Sequence, residues 1–172
     1  MRPLIPAALT GLLVVPATSA MAADLDVKIE IPRLDVAEYH RPYVAVWLER
    51  VDQPFTTLGV WYDVKKRDNE GSKWLKDLRT WWRRGGREMT MPVDGISGAT
   101  RPVGEQTLSF KGDASPLAKL APGQWDLVVE AARETGGRET VKIPLTWPPA
   151  ASQTLDAKGS NELGAVSVQI KP

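Results

Sequence analysis

A strict alternation of apolar and charged residues constrains the fold of this chain more than any other feature. Residues 25–31 read LDVKIEI, so their apolar side chains fall on one face of an extended segment and their charged side chains on the other. This period of two predicts a β-strand with one buried face and one solvated face. We therefore expect sheets that turn one face to a core.

Further apolar segments predict strands at residues 43–48, 57–64, 106–110, 125–131, 140–146 and 165–170. The first of these reads YVAVWL, and its continuous apolar character indicates a central strand. Clusters of Pro, Gly and Asp separate the strands at short intervals, which is typical of an antiparallel sandwich. The sequence thus predicts an all-β fold, an antiparallel β-sandwich.

One segment, residues 72–84 (SKWLKDLRTWWRR), departs from this pattern. Its large apolar residues recur at helical spacing: Trp74, Leu78 and Trp81 or Trp82. Ser72 is a suitable N-cap, and the two glycines from Gly85 onward are a suitable stop. We predict one short helix across the sandwich, with its tryptophans packed mainly against the core.

The first 22 residues have the features of a secretory signal peptide. They combine a charge at Arg2, an apolar run that includes residues 12–15, and the small-residue cleavage sequence AMA at residues 20–22. The apolar run is too short to span a bilayer, and no later segment replaces it. We expect residues 1–22 to be removed and residues 23–172 to form one domain in an exported compartment.

Charge and composition exclude several classes of function. The chain has 22 basic and 21 acidic residues, and Arg2 is the only charge in the predicted signal peptide, so the mature segment is balanced. This balance argues against nucleic-acid binding, which depends on a surplus of basic side chains. With no cysteine and a single histidine, the chain cannot form thiol redox, iron–sulfur, zinc–thiolate or multi-histidine metal sites. Any redox role therefore requires a bound organic cofactor.

The single histidine, His40, is a candidate general base, with Tyr39 and Tyr43 close to it in sequence. The chain has no Gly-x-Ser-x-Gly elbow and no Walker or dinucleotide fingerprint. A histidine without a partner nucleophile is more often a structural hydrogen-bonding residue. A hydrolase that uses His40 is therefore the weakest of the functional hypotheses.

The stretch at residues 94–100 (DGISGAT) carries a specific pattern, Asp-x-x-Ser-Gly-Ala-Thr. It resembles the flavin-attachment motif of FMN-binding domains. That resemblance implies that a periplasmic flavin transferase joins FMN to the Thr100 hydroxyl through a phosphoester bond. The alternative is an ordinary polar turn before the next strand, because Asp-Gly and Ser-Gly are common turn sequences.

Each residue of the motif has a physical role in such an attachment. Gly98 and Ala99 are small and keep the approach of the transferase to the acceptor hydroxyl open. Asp94 and Ser97 are suited to bond nearby backbone groups and to present the threonine outward. Arg101 follows directly and is a candidate partner for the attached phosphate in a charge-assisted bond.

A wider resemblance covers nearly all of the predicted mature chain. Residues 39–49, 77–83, 97–102 and 158–166 resemble a bacterial periplasmic family known as domain-of-unknown-function family 2271. Residues 107–130 are also similar to the immunoglobulin-like module of flagellar hook-capping proteins, in which a tyrosine stands where this chain has Trp125. The second resemblance implies that the sandwich is immunoglobulin-like, and it implies nothing about function.

The family resemblance implies a periplasmic electron carrier. Similar proteins occur in genomic company with PepSY-type membrane reductases, flavin transferases and siderophore receptors. The covalent FMN on Thr100 would receive electrons from such a reductase and deliver them to an extracytosolic acceptor, for which a ferric siderophore is a candidate. Four aromatic residues are candidates to stack on the flavin ring: Tyr43, Trp47, Trp81 and Trp82. His40 and Arg41 are candidates to hydrogen-bond near its nitrogens.

A second hypothesis comes from another class, a non-catalytic immunoglobulin-like module for binding or scaffolding. It explains the strands, the balanced charge and the missing catalytic constellation without a cofactor. It assigns the Trp-Trp-Arg-Arg segment to a partner surface and leaves the motif as a turn. The Thr100 hydroxyl discriminates between the two hypotheses, because only a flavoprotein requires it.

Overall fold

The computed structural model describes residues 22–172, and the predicted signal peptide lies outside the described residues except for Ala22. Within this range two sheets pack face to face. Their strands, in chain order, are β1 (Asp24–Ile31), β2 (Tyr43–Glu49), β3 (Thr56–Tyr62), β4 (Ser97–Ala99), β5 (Gly104–Phe110), β6 (Gly123–Ala132), β7 (Arg138–Trp147), β8 (Gln153–Lys158) and β9 (Ala165–Lys171). The first sheet has the order β5-β1-β9-β8 and the second the order β4-β3-β2-β6-β7. The predicted all-β sandwich is confirmed.

Burial along β1 and β2 follows the two kinds of sequence pattern. In β1 the apolar residues alternate into the core between the sheets, and the charged residues face solvent. Every residue of β2 is buried, because both faces of this central strand are covered. One face, which includes Val46, packs into the core between the sheets. The other, which includes Trp47, packs into a second cluster with Leu78 and Trp81 of the helical segment.

The strands pair antiparallel with one exception. β4 pairs parallel to β3, with Val60 opposite Ser97 and Tyr62 opposite Ala99. The sequence analysis placed no strand at β4 and none at β8. β4 has three residues, which is too short for a period of two to be recognised. β8 carries only small or isolated apolar residues on a half-buried edge.

The single helix predicted over residues 72–84 is wrong in its form. The chain instead makes a 3₁₀ segment, Arg67–Asp77, and a one-and-a-half-turn α-helix, α1 (Arg79–Arg84), separated by Leu78 in a non-helical conformation. Ser72 caps no helix, since its hydroxyl donates to the carbonyl oxygen of Asn69 at 2.7 Å. No helix in the described part of the chain is long and apolar enough to cross a membrane.

The N-terminus of α1 is capped from a distant strand. The carboxylate of Glu130 in β6 accepts hydrogen bonds from the backbone N–H groups of Thr80, at 3.0 Å, and Trp81, at 2.8 Å. Glu130 is fully buried, and the Arg138 Nε lies 3.7 Å from its Oε1. Local sequence contains no sign of this cap, because the carboxylate comes from a residue about 50 positions away.

Candidate functional site

A pocket opens at one edge of the five-stranded sheet, where β2 and β7 begin and β3, β4 and β6 end. Its volume is about 280 Å³, at the low end of the range for small-molecule sites. The residues that matter for its chemistry are Tyr39, His40, Tyr43, Trp74, Thr100 and Arg133. We call this cavity the edge pocket.

The parallel pairing of β4 brings Thr100 to the edge pocket. Ala99, the last residue of β4, lies opposite Tyr62, the last residue of β3. The residues that follow these strands, Thr100 and Asp63, therefore emerge at the same edge and both line the pocket. An antiparallel β4 would end at the opposite edge and carry Thr100 away from the pocket.

Thr100 also borders a second depression, which shares part of its lining with the edge pocket. This depression has a volume of about 460 Å³ and is lined in part by Tyr62, Lys65 and Ala99. Arg41 and Lys66 line both cavities, so two cations flank the half-buried Thr100. The Lys66 ammonium lies 3.2 Å from the Asp63 carboxylate.

The turn before β4 is closed by Ser97. Its hydroxyl accepts a hydrogen bond from the Val93 N–H at 2.9 Å, and its own N–H donates to the Val93 carbonyl oxygen at 2.8 Å. Gly95 sits at the tip with a φ of 74°, a conformation that glycine adopts without strain. The backbone bond expected of Ser97 is therefore present, while Asp94 lies exposed at the tip of the turn.

The middle of the motif lies against Trp61. A Cβ atom at Gly98 would stand 3.1 Å from the Trp61 ring, so a larger residue would press on that indole. Ala99 is exposed. The Arg101 guanidinium lies over the Trp61 ring, 5.2 Å from its centroid, and Arg101 does not line the edge pocket. Arg41 and Lys66, in contrast, line the edge pocket together with Thr100.

His40, Arg41 and Tyr43, which the sequence analysis named, all line the edge pocket. His40 lies between two carboxylates, with Nε2 3.2 Å from Glu38 and Nδ1 3.7 Å from Glu134. The Tyr43 hydroxyl donates to the carbonyl oxygen of Gly71 at 3.3 Å. Burial raises the pKa of Tyr43 far above its ordinary value, so its phenol remains a neutral donor.

The tryptophans named as stacking candidates lie elsewhere. Trp47 and Trp81 are 0% exposed, and their indole N–H groups donate to Glu49 at 2.9 Å and to Thr57 at 3.1 Å. Neither has a face free for a flavin ring, because the second apolar cluster covers both. Trp82 is half-buried, packs on that cluster with its ring 6.3 Å from that of Trp81, and does not line the edge pocket.

The aromatic residue that does lie open to the edge pocket is Trp74. It is 51% exposed, and the Lys76 ammonium lies 5.6 Å from its ring centroid. The helical spacing had assigned Trp74 to core packing. The 3₁₀ geometry of its segment changes the face on which it falls, since successive residues turn by a third of a circle there.

Arg133 and Tyr39 complete the pocket, and the sequence analysis gave neither a ligand role. The Arg133 side chain is 7% exposed, and its Nε and Nη2 donate to the two oxygens of Glu162 at 2.9 and 3.0 Å. The Tyr39 hydroxyl is buried without a hydrogen-bond partner among residues 22–172, and so is the hydroxyl of Tyr62 in the neighbouring depression. Burial raises the pKa of the Tyr39 phenol. In the local sequence, the one signal for a role of Arg133 was its position directly after an apolar strand.

Comparison with known proteins yields one family. The family model described as a predicted periplasmic protein (DUF2271) matches residues 24–165. No curated protein and no solved structure matches the chain. The matched range runs from the first residue of β1 to the first residue of β9, and it includes the edge pocket and the turn that carries Thr100.

Proposed function

We propose that this chain, which belongs to the DUF2271 family of predicted periplasmic proteins, is a periplasmic flavoprotein with FMN attached to Thr100. The linkage is a phosphoester to the threonine oxygen, made by a periplasmic flavin transferase. The protein would carry electrons from a PepSY-type membrane reductase to an extracytosolic acceptor, with a ferric siderophore as one candidate. FMN supplies the reversible electron-transfer chemistry when it is bound.

The observation that carries this proposal is the position of Thr100. The parallel β3–β4 pair puts this half-buried residue on the rim between two cavities, directly after the exposed Ala99. Thr100 is thus partly exposed at the surface, as a site of enzymatic modification must be. Two cavities next to Thr100 offer space for the attached group.

The residues around Thr100 include groups suited to bind the phosphate and the polar atoms of FMN. Arg41 and Lys66 line both cavities and provide cations for a phosphate, which binds arginine and lysine through charge-assisted bonds. The hydroxyls of Tyr39 and Tyr62 are buried without partners in the described chain, so each has a hydrogen bond to offer a ligand. These groups support the presence of a polar ligand at this edge.

The attachment step balances with FAD as the co-substrate. The Thr100 Oγ forms a bond to phosphorus while the phosphoanhydride of FAD breaks, AMP leaves, and the hydroxyl proton passes to a base of the transferase. Gly98 and Ala99 leave the approach to this oxygen free of bulky side chains. Ser97 holds the turn closed behind it through its bonds to Val93.

A second candidate function is a non-catalytic binding module. The observation in its favour is the 51% exposure of Trp74, which is large for an indole on a surface without a partner. Arg79 and Arg83 lie exposed on the neighbouring α1 and would extend such a partner surface. This module would not require the Thr100 hydroxyl.

The intact mass of the protein tests the proposed function. Co-expression with a periplasmic flavin transferase should add the mass of one FMN less one water, and Thr100→Ala should abolish the gain. Thr107→Ala, an exposed threonine on β5, is the matched control and should keep it. An unmodified wild-type mass, in cells that flavinylate another substrate of the same transferase, would favour the binding module.

A further inference from the structure

We propose that Tyr39, Trp74 and Arg133 form a subsite that holds the isoalloxazine ring of the flavin in the edge pocket. This inference rests on the proposed function and deepens it, because it assigns the ring to residues outside the attachment motif. Trp74 stacks on the ring, and the other two residues donate hydrogen bonds to oxygen atoms on its edge. Glu162 acts as the positioning residue for Arg133.

Arg133 is a cation held rigidly in the pocket wall. Its Nε and Nη2 are both committed to Glu162, which is 1% exposed and also accepts the Gly137 N–H at 2.8 Å. A bidentate pair fixes the plane of a guanidinium, and this one leaves Nη1 outside the pair. A buried cation that lines a cavity and retains a donor is suited to bind an electron-rich oxygen.

Tyr39 supplies a second donor among the residues that line the pocket. Its hydroxyl is buried and has no partner among residues 22–172, which is rare for a buried polar atom. Desolvation favours the protonated phenol, although the nearby positive charge of Arg133 opposes that effect. The group is therefore available as a donor and gains a hydrogen bond when an acceptor enters.

Trp74 supplies the flat apolar face. The 3₁₀ segment that carries it is anchored at Gly71, whose carbonyl accepts the Tyr43 hydroxyl and whose Cα lies so close to Asp63 that a Cβ would overlap the carbonyl oxygen. The backbone three residues before Trp74 is thus held against the sheet edge, while the indole stays half exposed. A stacked ring would cover this indole, as aromatic side chains commonly do for planar ligands.

The two hydrogen-bond donors of the pocket favour a ligand whose edge carries hydrogen-bond acceptors. The pyrimidine-dione edge of an isoalloxazine carries carbonyl oxygens and accepts hydrogen bonds. An adenine ring has no carbonyl oxygen: its amino group donates and only its ring nitrogens accept, so it offers the donors of Tyr39 and Arg133 a weaker set of acceptors. The pocket should therefore bind a flavin ring more tightly than an adenine ring. The preference arises because the flavin ring satisfies the hydrogen-bond donors of the pocket better than the adenine ring does.

The first experiment uses the flavinylated protein. A ring held in the edge pocket is shielded, so iodide should quench its fluorescence weakly in the wild type and at least threefold more strongly in Tyr39→Phe and Trp74→Ala. Val51→Ala, which shortens an almost fully exposed apolar residue outside the pocket, should match the wild type. Equal quenching in the wild type and both pocket variants, with the flavin mass present, would overturn the inference and leave the proposed function standing.

The second experiment uses riboflavin, which lacks the phosphate and cannot be attached. Titrated into unmodified protein, it should bind about five- to tenfold more weakly to Tyr39→Phe than to the wild type, the loss expected for one hydrogen bond. Adenosine should compete only weakly. Thr107→Ala, a change at an exposed residue of β5 outside the pocket, should bind riboflavin as the wild type does. Because riboflavin cannot be attached, failure of covalent attachment would not disturb this result. Equal affinity in the wild type and Tyr39→Phe, or no binding to either, would contradict the ring subsite.

The Tyr39→Phe variant is also expected to fold normally. The hydroxyl that it removes has no partner in the described chain, so the unliganded protein loses no hydrogen bond. Its thermal midpoint without ligand should equal or slightly exceed that of the wild type. A large fall in this midpoint would show that the hydroxyl is structural and would argue against a ligand role.

Discussion

The guanidinium of Arg133 and the carboxylate of Glu162 form a bidentate ion pair, with distances of 2.9 and 3.0 Å, between side chains that are 7% and 1% exposed. Arg133 follows β6 in one sheet, and Glu162 lies in the loop between β8 and β9 of the other. The pair therefore joins the two sheets at the edge pocket. Because Glu162 also accepts the Gly137 N–H, the carboxylate orients both the cation and the turn that leads into β7.

Glu162→Gln should destabilise the fold strongly. The substitution leaves the buried Arg133 guanidinium without its counter-charge, and loss of one partner of a buried pair costs about 3–5 kcal/mol. Urea denaturation would measure the free energy of unfolding. Glu105→Gln is the matched control, because Glu105 pairs with Lys28 across β5 and β1 with both side chains more than half exposed. It should cost less than about 1 kcal/mol, and similar losses at both sites would contradict the prediction.

Glu130→Ala should release the N-terminus of α1. Both oxygens of this buried carboxylate accept backbone N–H groups of Thr80 and Trp81, and each buried donor left unpaired costs about 1–3 kcal/mol. The free energy of unfolding should therefore fall by at least about 1–3 kcal/mol, the cost of the buried Trp81 N–H alone, since the Thr80 N–H is only partly buried. Ser72→Ala tests the cap that local sequence suggested, and a change below about 0.5 kcal/mol is expected there. A larger loss at Ser72 than at Glu130 would refute this assignment.

Stability should decline in acid partly through Glu139. Burial pushes the pKa of this carboxyl upward, but hydrogen bonds from the backbone N–H groups of Ser160, Leu163 and Asn161 outweigh burial and hold the pKa below its ordinary value. A lowered pKa in the folded state favours folding above the unfolded value of about 4.3, and this contribution disappears as pH falls through the folded value.

The pH dependence of the thermal midpoint checks this linkage. Between about pH 5 and pH 3 the wild type should lose more stability than Glu139→Gln, because the variant has no carboxyl to protonate. At pH 7 the variant should be the less stable of the two, since the loop from Ser160 to Leu163 loses a charged acceptor. Parallel curves for the two proteins over this range would count against the lowered pKa.

Gly71→Ala should disturb both stability and the edge pocket. The added Cβ would overlap the backbone of Asp63, so the 3₁₀ segment must move, at a cost of about 1–3 kcal/mol. Gly95→Ala serves as the comparison, because its Cβ meets nothing within 4 Å and carries only the strain of a φ of 74°, about 1–2 kcal/mol. Iodide quenching of the attached flavin should increase in Gly71→Ala alone. An unchanged ring environment in Gly71→Ala would show that this anchor does not position Trp74.

Local patterns predicted part of the candidate site. His40, Arg41, Tyr43 and Thr100 were named from residue type and motif, and all four line the edge pocket. Trp47 and Trp81 were named for the same chemistry, but the second apolar cluster buries them. An aromatic side chain has the same appearance in a sequence whether it packs in a core or lines a cavity. Only the neighbouring elements decide between the two.

Local sequence was sufficient to predict the strands with a clear period of two or a long apolar run, as in β1 and β2, because side chains on an extended backbone alternate between its faces. It also determined which small residues precede Thr100. The location of that threonine, however, depends on how the strands pair in the folded protein. β4 has three residues and no readable period, and its direction follows from the long connection that lets it pair parallel with β3. The same holds for Arg133 and Glu162, since a contact across 29 residues depends on how the two sheets pack and leaves no trace in local sequence.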